Sequence, residues 1–122
     1  MFLVSRILFA CIMLGVSVLF LMQSPPTPGA FQFPHADKIV HFGLFFVLAA
    51  SFHIAFRPPL WFAWISLFIY AVAIELIQYY IPGRGADIWD VVADMVGVAA
   101  FYAVRKIFLY LLSTRKRRRS PS

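Results

Sequence analysis

The chain has 122 residues, of which 62% are hydrophobic, 18% aromatic and 13% charged. A mean hydropathy of +0.84 is too high for a soluble domain of this length, in which about a quarter of residues would carry charge, and it points to a multi-pass membrane protein. A single cysteine excludes a disulfide framework and a cysteine-based metal centre, and the net charge of +6 is distributed in a way that does not fit nucleic-acid binding.

The first apolar run covers residues 2–22 and is interrupted by Arg6 and a few small polar residues. It is longer than a secretory h-region, and the "QSPPTPG" after it lacks a small-x-small cleavage pattern, so a retained first transmembrane helix is expected over residues 1–23. Residues 24–36, "SPPTPGAFQFPHA", are a proline-rich loop. The second run, residues 38–56, spans about 28 Å at ~1.5 Å per residue and matches a bilayer core. "RPPL" then predicts a tight antiparallel connection to a third helix over 61–81, closed by Pro82 and Gly83. The fourth run starts at Asp87 or Ile88 and continues to Leu112. Residues 24–112 form the expected core, and "STRKRRRSPS" at 113–122 is expected to be a disordered basic tail. The fold class is therefore an all-α integral membrane protein, a bundle of four transmembrane helices.

Lysine and arginine set the orientation. With both termini cytoplasmic, nine of the eleven basic residues lie inside, and only Lys38 and Arg84 lie outside. The basic tail then serves as a topology anchor and a contact for anionic lipid headgroups. The expected location is a membrane that both termini face from the cytoplasmic side.

In this topology all five acidic residues, Asp37, Glu75, Asp87, Asp90 and Asp94, gather at the outer ends of the second, third and fourth helices. Lys38, His41, Gln78 and Arg84 stand at the same level. By helical rise, Glu75 and Asp94 each lie about 9 Å below the outer ends of their helices. Asp87, Asp90, Asp94 and Gly97 share one helix face; Ala71, Glu75 and Gln78 make a second polar stripe, and Asp37 and His41 a third. Ala93 and Gly97 are a small-xxx-small pair that allows close helix approach. The three stripes are expected to converge on a common interior. Glu75 and Asp94 cannot economically face lipid, so each needs a proton, a basic partner or a bound cation.

Asp37 and Asp87 open helices and are expected to act as caps. His41, Glu75, Asp90 and Asp94 are the candidate catalytic residues, with Lys38, Gln78 and Arg84 as candidate ligand-binding residues. Gln78 is expected to orient Glu75. His41, Glu75, Asp90 and Asp94 could also make a nitrogen–oxygen metal site. They lack any familiar metal-binding spacing, so no cofactor is expected.

With these residues placed, the sequence resembles the VanZ-like family of small bacterial membrane proteins. The matching pieces are "DKIVHF" (Asp37, Lys38, His41, Phe42), "AIELIQ" (Glu75, Gln78) and "GRGADIWDVVADMVG" (Arg84, Asp90, Asp94, Gly97), across residues 34–104. Many members have asparagine where this chain has Asp94. The resemblance implies a link to low-level resistance to the glycopeptide teicoplanin, without specifying a reaction.

Three functions compete at this level. The first is a membrane protein that acts on the cell envelope, binding a lipid-linked or amphiphilic ligand through the outer polar cluster. The second is an intramembrane hydrolase or transferase on a lipid-linked phosphate, with His41 or Glu75 as acid/base and Arg84 stabilising charge. The third is a subunit of a small ion-coupled transporter. Expected partners are membrane lipids and such an envelope ligand, with no nucleic acid. Oligomeric state is not legible.

Overall fold

The computed structural model describes residues 2–22, 36–82 and 86–119, with the side chains of residues 36 and 37 excepted. It holds four helices: α1 (Phe2–Leu21), α2 (Ala36–Phe56), α3 (Leu60–Tyr79) and α4 (Ile88–Arg119). Each is long and apolar enough to cross a membrane, and no strand occurs among the described residues. The outward surface is apolar along its length: Leu3, Ile69, Leu76 and Ile107 are all more than half exposed, as lipid-facing side chains would be.

Local chemistry sets the helix ends. Arg57 ends α2 in the left-handed region, at φ 48°, while its N–H still bonds the His53 carbonyl at 2.8 Å. Pro58 and Pro59 follow, and the Pro59 carbonyl accepts the Ala63 N–H at 3.1 Å, so α3 starts at once and runs back against α2. At the far end of α3, Tyr80 and Ile81 donate to Ile77 and Gln78 in a tightening turn before Pro82.

Helix α4 departs from expectation. It continues through the basic segment to Arg119, where a disordered tail was expected from residue 113. Three physical features account for this. No glycine or proline interrupts residues 98–119, arginine and lysine are good helix formers, and their charges suit a helix C-terminus. Ser113 and Thr114 direct their hydroxyls back to the Tyr110 carbonyl, so they do not compete for the backbone. At ~1.5 Å per residue α4 is about 48 Å long, well over the ~30 Å bilayer core.

Helices α2 and α4 make the closest approach. A Cβ added to Gly97 would lie 2.3 Å from the Phe42 carbonyl oxygen, so only glycine permits this contact. Around that seam, Phe45, Leu48, Ala49, Ala71 and Val98 form the buried core. Helix α1 completes the bundle at both ends. Its Arg6 guanidinium sits 4.9 Å from the centre of the Phe56 ring. Nearer the opposite end, Ser17 Oγ and Tyr70 Oη share a hydrogen bond of 2.5 Å. The packing brings Lys38, His41, Glu75, Gln78, Asp87, Asp90 and Asp94 to one end of the bundle.

Candidate functional site

The site is built from the first turns of α2 and α4 and the last turns of α3. Asp90 and Asp94 are one turn apart on the buried face of α4, and Glu75 and Gln78 are three apart on the buried face of α3. His41 faces them from α2 and is also buried.

His41 and Asp94 form the deepest polar pair. Nδ1 of His41 lies 2.8 Å from Oδ1 of Asp94, which is fully buried. With Asp94 ionised, its carboxylate can only accept, which puts the ring proton on Nδ1 and leaves the lone pair of a neutral ring on Nε2. That Nε2 points to the neighbouring Asp90, 3.7 Å from Oδ2. The other oxygen of Asp90, Oδ1, is 3.4 Å from Nζ of Lys38, and Lys38 also donates to Asp87 Oδ2 at 2.9 Å.

Asp87 ties α3 to α4. Its Oδ1 accepts the Trp89 N–H at 2.9 Å, the geometry of an N-terminal helix cap. Its own N–H donates to Glu75 Oε2 at 3.0 Å. The other Glu75 oxygen, Oε1, is buried with no hydrogen-bond partner, and so is Asp94 Oδ2. An orphaned buried carboxylate oxygen costs at least about 1–3 kcal/mol, which a ligand, a proton or a cation could recover.

One side chain is placed differently from expectation. Gln78 Nε2 donates to the Phe20 carbonyl of α1 at 2.7 Å, so its amide holds α1 against the site. Phe20 itself was not anticipated. Its ring stacks over the His41 imidazole, with centroids 4.5 Å apart and planes 25° from parallel. An apolar residue in a uniformly apolar helix carries no sequence signal for such a role. Arg84 and the side chain of Asp37, both candidate residues, lie outside the described residues.

A groove of about 570 Å³ between α3 and α4 runs beside this cluster, with a wholly apolar exposed wall. Phe68, Val72, Leu76, Val92 and Val96 line it, and Glu75 is its one polar lining residue among those described. Phe68, Leu76, Val92 and Val96 are exposed, so the groove opens sideways on the outer surface of the bundle. Its volume falls within the roughly 300–1,000 Å³ of small-molecule sites.

A family model described as VanZ/LLP1 matches residues 5–110, almost the whole helical bundle. The chain belongs to the VanZ/LLP1 family. The match begins within α1, whereas the motif resemblance covered only residues 34–104. The inclusion of α1 in the VanZ/LLP1 unit agrees with its two contacts to the site, through the Phe20 ring and carbonyl. No curated protein and no solved structure matches the chain. Four membrane-spanning helices and membership of this family make the chain a multi-pass membrane protein.

Proposed function

We propose that this VanZ/LLP1 protein acts on the bacterial cell envelope by binding an amphiphilic or lipid-linked ligand at the outer leaflet of the cytoplasmic membrane. The observation that carries this reading is the position of Glu75. Its stem lines an otherwise apolar groove, and its Oε1 is buried behind that apolar wall without a partner. An alkyl chain entering sideways from the lipid would fill the groove. A hydroxyl or ammonium group at its head would donate to Glu75, with His41 and Asp90 behind it. Lys38, Gln78 and Arg84 belong to this proposed binding region, Lys38 and Arg84 as groups suited to a phosphate. The outer-leaflet assignment rests on the positive-inside distribution, in which the basic residues gather at the bundle end opposite the cluster.

The same groups would serve an intramembrane hydrolase or transferase acting on a lipid-linked phosphate. The Asp94–His41 pair favours this second reading, because a carboxylate-oriented imidazole is a ready general base. The family link to teicoplanin offers the phenotype for a test. His41, Glu75, Arg84, Asp90 and Asp94 are each replaced by alanine in a strain where deletion alters teicoplanin susceptibility, and membrane insertion is scored separately. Loss of the phenotype with normal insertion supports the binding site. Wild-type susceptibility for all five stably inserted variants rejects it.

A further inference from the structure

We propose that His41, Glu75 and Asp90 form a binding site for a divalent cation of the zinc or manganese type. One donor atom from each of the three lies within 4.8 Å of the other two, and all three residues are buried. Bonds of about 2.0–2.2 Å in tetrahedral geometry place ligand atoms roughly 3.3–3.6 Å apart. His41 Nε2 and Asp90 Oδ2 are already 3.7 Å apart, too far for a good hydrogen bond between them and close to the spacing of two ligands on one ion. Side-chain adjustments on the order of an ångström would close the set.

The surroundings of each residue point the same way. Ligating side chains are normally held by an outer hydrogen bond on the atom that does not face the metal. His41 uses Nδ1 on Asp94 at 2.8 Å, leaving Nε2 as the donor. Glu75 uses Oε2 on the Asp87 N–H at 3.0 Å, leaving Oε1 buried with no partner. Asp90 has Oδ1 toward Lys38 at 3.4 Å, with Oδ2 toward His41. Three elements therefore contribute one held ligand each: α2 gives His41, α3 gives Glu75 and α4 gives Asp90.

Charge supplies an independent reason. Glu75, Asp90 and Asp94 are three buried carboxylates from two helices. A divalent cation at the centre of the group would offset their mutual repulsion. One nitrogen and two carboxylate oxygens suit zinc or manganese, and three protein ligands leave a coordination position for water or for an oxygen of a bound molecule. The site takes the same Glu75 Oε1 that the reading above gives to a ligand, so with the cation bound an oxygen of that ligand would occupy the open coordination position instead.

The test uses the full chain purified in detergent, stripped with chelator and dialysed against zinc, with metal counted by mass spectrometry. Wild type is expected to hold one zinc per chain. Glu75→Gln and Asp90→Asn are expected to bind at least about tenfold more weakly, and Asp94→Ala about 10–100-fold more weakly through loss of the His41 support. His53→Ala, at the other end of the bundle, is expected to match wild type. Manganese-loaded wild type provides a measurement that needs no variant, since pulsed electron paramagnetic resonance should detect coupling to one imidazole nitrogen. Wild type without stoichiometric metal, ligand variants that bind like wild type, or manganese without nitrogen coupling would each overturn the proposal.

Discussion

His41 and Asp94 are joined across the α2–α4 seam by a 2.8 Å hydrogen bond between Nδ1 and Oδ1, in a place where Asp94 is wholly buried. This contact sets both the tautomer and the direction of the imidazole. Its role can be separated from that of charge. Asparagine at position 94 could still accept the Nδ1–H, whereas alanine would leave that donor buried and unpaired. Asp94→Ala is expected to destabilise the protein by about 1–3 kcal/mol, with Asp94→Asn closer to wild type. Thermal unfolding in detergent measures the difference, and equal losses for the two variants would contradict the assigned contact.

Gly97 and Gly43 make a matched pair. A methyl group on Gly97 would meet the Phe42 carbonyl at 2.3 Å, while one on Gly43 meets nothing within 4 Å. Gly97→Ala must push α2 and α4 apart, at a cost of about 1–3 kcal/mol or more. Gly43→Ala is expected to be neutral or to stabilise by up to about 1 kcal/mol through helix propensity. Folded yield and unfolding temperature of the two variants check this contrast.

The Gln78 amide links the site to α1 through the Phe20 carbonyl, 2.7 Å away. Gln78→Leu keeps the size and removes the donor. Hydrogen bonds between membrane helices are worth about 0.6 kcal/mol on average and about 1.7 at most, so a loss in this range is expected. Limited proteolysis should also cut more readily near α1. Unchanged stability together with unchanged proteolysis would mean that α1 is held by its other contacts alone.

The groove between α3 and α4 can be blocked without touching the polar cluster. Val92 and Val96 line it and are exposed, so tryptophan at either position should be accommodated on the lipid side. Each variant is expected to insert normally and to lose the envelope phenotype. Ile107→Trp, exposed on α4 away from the groove, serves as the comparison and is expected to keep it. Retention of the phenotype by both groove variants would rule out ligand entry by this route.

Much of this arrangement was legible before any coordinates. Run length and hydropathy located all four helices, with boundaries within two residues except at the end of α4. Helical spacing put Asp87, Asp90, Asp94 and Gly97 on one face; the last three are buried together on α4, while Asp87 precedes the helix and is partly exposed. The misses have common physical causes. Gln78 bonds a backbone carbonyl, and every residue has one, so side-chain identity could not reveal that partner. Phe20 is one apolar residue in a helix of apolar residues, and only the fold selects it to cover His41. The basic segment was expected to be disordered from its charge, yet its lysines and arginines have good helix propensity and continue a helix already nucleated by α4.

Glu75→Gln tests the central claim, that the cluster binds a ligand beyond its structural role, most directly. Glutamine can still accept the Asp87 N–H that Glu75 Oε2 receives at 3.0 Å, so the link between α3 and α4 should persist. The charge and the unpartnered carboxylate oxygen would be gone. Normal amounts of inserted protein are expected, with loss of the teicoplanin phenotype in a strain where deletion has an effect. Normal insertion with wild-type protection would contradict it.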